Sequence, residues 1–178
     1  FSWDIAADIQ SVPDAENLAA MLVPMKSGPE GEDKDAVWQL QARRLITAVI
    51  ISLRRMTLAN KGRQTWNLWD VIRACGTQKR LRSILYYHDT PEEIAAQLLD
   101  LSDAQKSSIY MSATAYISQF DTIAQQWSLA EKQGRSVSLN EWSKNGRSTV
   151  LVLPNTPDNA SYGPLNRALV AAISNLFL

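Results

Sequence analysis

Cysteine and histidine are almost missing: the 178 residues hold one of each, Cys75 and His88. A lone thiol excludes an internal disulfide and makes a reducing compartment the simpler setting. One imidazole and one thiol cannot supply the four N/S ligands of a structural zinc site. Glycine is also scarce, seven in all. None opens the G-x-x-x-x-G-K-[ST] loop that cradles nucleotide phosphates, and the Lys61-Gly62 pair runs in the wrong order. The densest uncharged apolar run, Ala48 to Leu53, is far too short to cross a bilayer. The opening Phe1-Ser2-Trp3-Asp4 lacks the pattern of a secretory signal, and the absence of an initial Met suits an excised or processed piece. What is present is a hydrophobic fraction of 46%, enough to bury a core and to exclude a disordered polymer.

The residue types that usually carry catalysis have plainer uses here. His88 falls one turn beyond Ile84 and Leu85, on the apolar side of a short helix, and reads as structural. Cys75 lies on an apolar stripe, where a thiol behaves as a small hydrophobe. The carboxylate pairs Glu92-Glu93 and Asp33-Asp35 stand at helix starts, where negative charge is favourable. No catalytic, cofactor-binding or metal site is expected.

The periodicity is helical over most of the chain. Asp14 to Val23 forms a short helix between Pro13 and Pro24, followed by a breaker-rich loop from Ser27 to Asp33. A long helix runs from about Asp35 to Asn60 and stops at Gly62. Its middle, Ala48-Val49-Ile50-Ile51, is apolar all round, which places it in the core. Leu68, Val71, Ile72 and Cys75 mark a further helix ending at Gly76, and Thr77 caps another that buries Leu81, Ile84 and Leu85. The pair is read as an αα-hairpin in a bundle rather than a helix-turn-helix. Three capping boxes follow, at Thr90, Ser102 and Ser138. The second opens one long helix carrying Ile109, Ala113, Tyr116, Ile117, Phe120, Ile123, Ala124 and Trp127 on one face. Five tryptophans, Trp38, Trp66, Trp69, Trp127 and Trp142, are expected as packing anchors, with Trp69 off its helix's apolar stripe. Thr149 to Leu153, ended by Pro154, reads as a strand buried on both faces. Leu165, Leu169, Ile173 and Leu176 then mark a last amphipathic helix. No second strand is evident, so residues 147–178 are expected to belong with a neighbouring α/β domain, and 1–146 to form an all-α domain inserted in it.

Formal net charge is zero, yet the charges are segregated. Residues 1–42 sum to −6, residues 43–82 to +9, residues 83–134 to −5 and the remainder to +2. Such a block concerns partners more than fold. In it, Arg43 and Arg54 stand eleven residues apart, as do Arg44 and Arg55, so each pair shares a helix face about 16 Å apart. Lys61 and Arg63 extend the charge into a loop, and Lys79, Arg80 and Arg82 lie beside Tyr86 and Tyr87. Bases next to aromatics suit phosphate contact with stacking. The alternative is a solvated face whose arginines pair with the flanking acidic blocks. A second candidate surface, for docking another protein, is the polar face with Ser112, Gln119, Thr122, Gln125 and Gln126, together with the acidic loop Glu30 to Asp35.

Several short patterns occur in a telling order. Phe1-Ser2-Trp3-Asp4 precedes Asp14-Ala15-Glu16-Asn17-Leu18-Ala19 and Leu22-Val23-Pro24, then Trp38 and Ala42-Arg43-Arg44-Leu45-Ile46. Later come Ser138-Leu139-Asn140-Glu141-Trp142, Val150 to Pro154, and Gly163-Pro164-Leu165. Over essentially its whole length the chain thereby resembles the all-α domain of the TraD-type coupling proteins of conjugation and type IV secretion. It departs from them in a longer Ser27 to Asp33 loop and variable central helices. The resemblance implies a mainly α multi-helix bundle, similar to the N-terminal domain of tyrosine recombinases, inserted in a RecA-like motor domain. It implies a bacterial cytoplasmic setting at the inner membrane, with no direct membrane contact by this domain. The parent motor would be a hexameric ATPase using ATP and Mg. DNA, a relaxase or the relaxosome, or effector proteins are the partners implied.

Overall fold

The computed structural model describes residues 1–25, 36–59, 66–86, 93–145 and 162–176. It is mainly α, as the periodicity required. The Ser27 to Asp33 loop, Lys61, Arg63, Tyr87, His88, the start of the Thr90 capping box and the Thr149 to Leu153 strand lie outside the described residues.

A strand β1 (Ser2–Trp3) leads to the single turn α1 (Ile5–Asp8) and to α2 (Val12–Leu22). The start of α2 is two residues earlier than its sequence pattern suggested. Ser11 caps it reciprocally with Asp14, and Pro13 sits in the first turn, where its missing N–H costs nothing. The long α3 (Ala36–Ala59) is the axis of the fold, and every residue from Leu45 to Ser52 is buried. Around it pack α2, α4 (Leu68–Ala74), α5 (Gln78–Leu85), α6 (Glu93–Leu99) and α7 (Asp103–Ile117). Leu68, Val71, Ile72 and Cys75 are all buried, as are Leu81 and Leu85 on α5.

The helix expected to run unbroken from Ser102 through Trp127 is divided. A 3₁₀ turn at Ser118–Phe120 separates α7 from α8 (Asp121–Lys132). Here the buried residues Ile117, Phe120 and Ile123 recur every third position, the repeat a 3₁₀ turn keeps in line. Ser118 Oγ and Gln119 Nε2 also donate to the Ala115 and Tyr116 carbonyls, at 3.1 and 2.8 Å, and so satisfy the end of α7.

Two short strands away from Thr149 to Leu153, neither expected from the sequence, form a small sheet. β2 (Ser136–Val137) pairs in parallel with β1, Ser2 opposite Ser136 and Trp3 opposite Val137. Its approach is set by Gly134, whose φ of +70° ends α8. The Gly134 N–H reaches the Glu131 carbonyl and the Arg135 N–H reaches that of Ala130, at 2.8 and 2.9 Å, a Schellman closure. At two residues each, the strands are too short for hydrophobic alternation to reveal them. Beyond β2 come α9 (Leu139–Asn145) and α10 (Tyr162–Asn175), the latter against α2.

Asp8 closes this junction. One carboxylate oxygen accepts from Trp3 Nε1 at 2.6 Å and the Leu139 N–H at 2.7 Å. The other accepts from Ser138 Oγ at 2.5 Å and the Asn140 N–H at 3.2 Å. The first turn of α9 is therefore capped by a carboxylate some 130 residues away in sequence, in addition to its own Ser138.

Candidate nucleic-acid interface

The basic block does not present a uniform face. Arg43 turns inward across the C-terminus of α2: its Nε donates to the Val23 carbonyl at 2.7 Å and its Nη2 to that of Ala20 at 3.5 Å. Burial lowers its pKa from the ordinary value, and a cation at orphaned helix carbonyls is a favourable cap. Arg44 bonds through Nη2 to Gln97 Oε1 on α6. Arg54 and Arg55 are half-buried on α3, and the Nε of Arg54 is shielded from solvent without a hydrogen-bond partner among the described residues. All four lie on α3, as their spacing required, but Arg43 and Arg44 turn to its neighbours α2 and α6.

On α5 the picture differs. Lys79, Arg80 and Arg82 are all exposed, and no acidic residue lies on that helix. Thr77 caps its start by accepting from the Arg80 N–H at 3.2 Å. Arg80 Nη1 reaches back to the Arg73 carbonyl at 3.1 Å, near the end of α4. Lys79, Arg82 and Tyr86 stand at i, i+3 and i+7, on one side of the helix. The one acid of the basic block, Asp70, is engaged elsewhere, accepting from the Asn67 N–H at 3.0 Å. Burial raises its pKa, an effect that the Asn67 bond partly offsets.

Arg82 faces the first turn of α7, where its Nη2 stands 3.6 Å from Asp103 Oδ1. Lys106 Nζ approaches the same oxygen at 3.9 Å. Sequence reading missed Lys106 because it sits in the block that sums to −5. The available signal was its place one turn beyond the Ser102 capping box. Between α5, α6 and α7 lies a cleft of about 450 Å³, with Arg82, Lys106 and Asp103 at its edge.

The remaining candidates have their own places. Gln119, Thr122, Gln125 and Gln126 are exposed on the 3₁₀ turn and α8, as expected for a polar face. Trp66 is buried, Trp69 and Trp127 pack against the core, and Trp142 is half-buried. Trp38 departs from its expected anchoring role, at 41% exposure. The Cys75 thiol is buried and pushed up to about 12, which removes it as a nucleophile at neutral pH. Among the described residues no cluster of His, Cys, Asp and Glu could hold a metal ion, and no helix is long and apolar enough to cross a membrane.

Residues 1–177 match the family model described as the type IV secretion-system coupling protein DNA-binding domain. The chain belongs to that family. No curated protein and no solved structure matches it. The family description agrees with the resemblance carried by the short patterns. It names a DNA-binding domain of a coupling protein, not a nucleotide-hydrolysing one. Within this coupling-protein domain, α5 holds three exposed basic side chains beside a cleft, which the half-buried Lys106 also lines.

Proposed function

We propose that this domain engages DNA through phosphate contacts from Lys79, Arg82 and Lys106, as the cytoplasmic recognition part of a type IV secretion coupling protein. The carrying observation is the exposed basic surface of α5, a helix with no acid of its own. The Asp103 contacts do not lock it, since Arg82 and Asp103 side chains are 60% and 89% exposed and such pairs contribute at most about 1 kcal/mol. A phosphate therefore competes on favourable terms. Binding of this kind has little sequence preference and weakens steeply with salt. In a hexameric parent, six copies would ring the channel entrance at the inner membrane, with ATP hydrolysis left to the motor domain. Residues 147–178 would lead into that domain. The test is DNA titration of the domain at two salt concentrations. Lys79→Glu with Arg82→Glu should weaken binding about tenfold or more at low salt and flatten the salt slope by about 2. Unchanged affinity and slope would refute the assignment.

A second reading gives the domain a docking role for a relaxase, an accessory protein or an effector. It is favoured by Leu129, which is 59% exposed on α8 with Thr122, Gln125 and Gln126, and by Met111, which is 68% exposed on α7. Pull-down with Leu129→Lys and Gln125→Lys separates the two: loss of a protein partner with DNA binding intact supports docking.

A further inference from the structure

The cleft beside the basic helix has a chemistry that phosphate contact alone leaves unused. Its floor is apolar and comes from four helices: Leu45 of α3, Leu81 and Leu85 of α5, Leu98 of α6 and Ile109 of α7, all 4–7% exposed. Tyr86 and Tyr110 line it from α5 and α7. Tyr86 stands 56% exposed at the end of α5, while Tyr110 packs against the core. Gln78, Arg82, Asp103, Lys106 and Ser107 add polar groups to the lining. Gln78 Nε2 donates to Ser107 Oγ at 3.3 Å across the opening, and Asp103 lies between Arg82 and Lys106. An apolar floor with polar groups set around it suits a compact organic ligand that has both apolar faces and polar edges, and about 450 Å³ is within the usual range.

We propose that this cleft accepts an unstacked nucleobase of single-stranded DNA while Arg82 and Lys106 hold the flanking phosphates. The inference rests on the phosphate-binding reading above and adds the form of the DNA. A base brings a flat apolar face for the leucine floor and the tyrosine rings, and polar edges for Gln78, Ser107 and Asp103. Its sugar-phosphate links bring the anions that the rim cations require. A duplex keeps its bases stacked and paired inside, so it offers only phosphates to the same surface. Base–aromatic stacking contributes regardless of base identity, and the resulting preference is for unpaired strand over duplex, not for a sequence.

The test compares three probes with the intact domain at one low salt concentration: oligothymidylate, an abasic strand of equal length, and a duplex. The oligothymidylate should bind about tenfold tighter than the abasic strand. Tyr86→Ala at the exposed rim and Ser107→Phe, which fills the mouth, should each remove that difference while leaving abasic-strand affinity and its salt slope unchanged. Circular dichroism and thermal melting establish that both variants fold. Equal affinity for intact and abasic strands would overturn the base-accepting cleft but leave the phosphate reading standing. Absence of binding to all three probes would overturn both. Equal strand affinities, with an acidic aromatic peptide bound in a Tyr86-dependent way, would assign the cleft to a peptide and overturn the proposal.

Discussion

An arginine in a basic block has two very different uses, and Arg43 illustrates the one that sequence hides. Its charge was counted with the DNA candidates, yet its guanidinium lies over the Val23 and Ala20 carbonyls at the end of α2. Those carbonyls have no intrahelical partner, so the side chain stabilises the packing of α2 on α3. Arg43→Ala should cost about 1–3 kcal/mol in urea unfolding, with Arg43→Lys recovering part of the loss. DNA affinity of the folded variant should be unchanged. A large loss of DNA binding with unaltered stability would instead return Arg43 to the interface. Nothing at positions 43 or 44 distinguishes the two roles beforehand, because the acceptors lie on other helices. Composition located the block, but tertiary packing decides which of its members face solvent.

At the scale of elements, helices were legible wherever a side chain marks its own end. Ser102 with Gln105 and Thr77 with the Arg80 N–H mark their helices locally, and both caps form. The Ser11–Asp14 and Asn67–Asp70 boxes went unread, though their S-x-x-D and N-x-x-D patterns belong to the same class. The break at Ser118–Phe120 was concealed by treating Ile117, Phe120 and Ile123 as one α-helical stripe. Least legible was the junction of β1, β2 and α9, whose partners are separated by nearly the whole domain. Asp8 makes it an element in its own right. Asp8→Ala would leave Trp3 Nε1, Ser138 Oγ and the first N–H groups of α9 short of an acceptor. The expected loss is about 2–4 kcal/mol. Amide hydrogen exchange should quicken first at residues 136–142, while α3 stays protected until global unfolding. Uniform loss of protection across the chain would show that the junction is not a separate unit.

For the whole molecule, zero net charge means that DNA attraction cannot come from an overall field. It must come from local excess charge, screened within a Debye length of about 10 Å at 0.1 M salt. At that range a single carboxylate beside the basic surface matters, and Asp103 is that carboxylate for Arg82 and Lys106. It also opens α7, where a negative charge stabilises the helix dipole by about 0.3–1 kcal/mol. The same residue therefore favours the fold and opposes phosphate contact. Asp103→Asn should move the two properties in opposite directions. Stability should fall by less than about 1 kcal/mol, while affinity for phosphate probes rises about two- to fivefold at low salt, a gain that disappears at high salt. Affinity that falls along with stability would mean that Asp103 supports the interface rather than competing with its anion, and the placement of DNA at α5 would have to be abandoned.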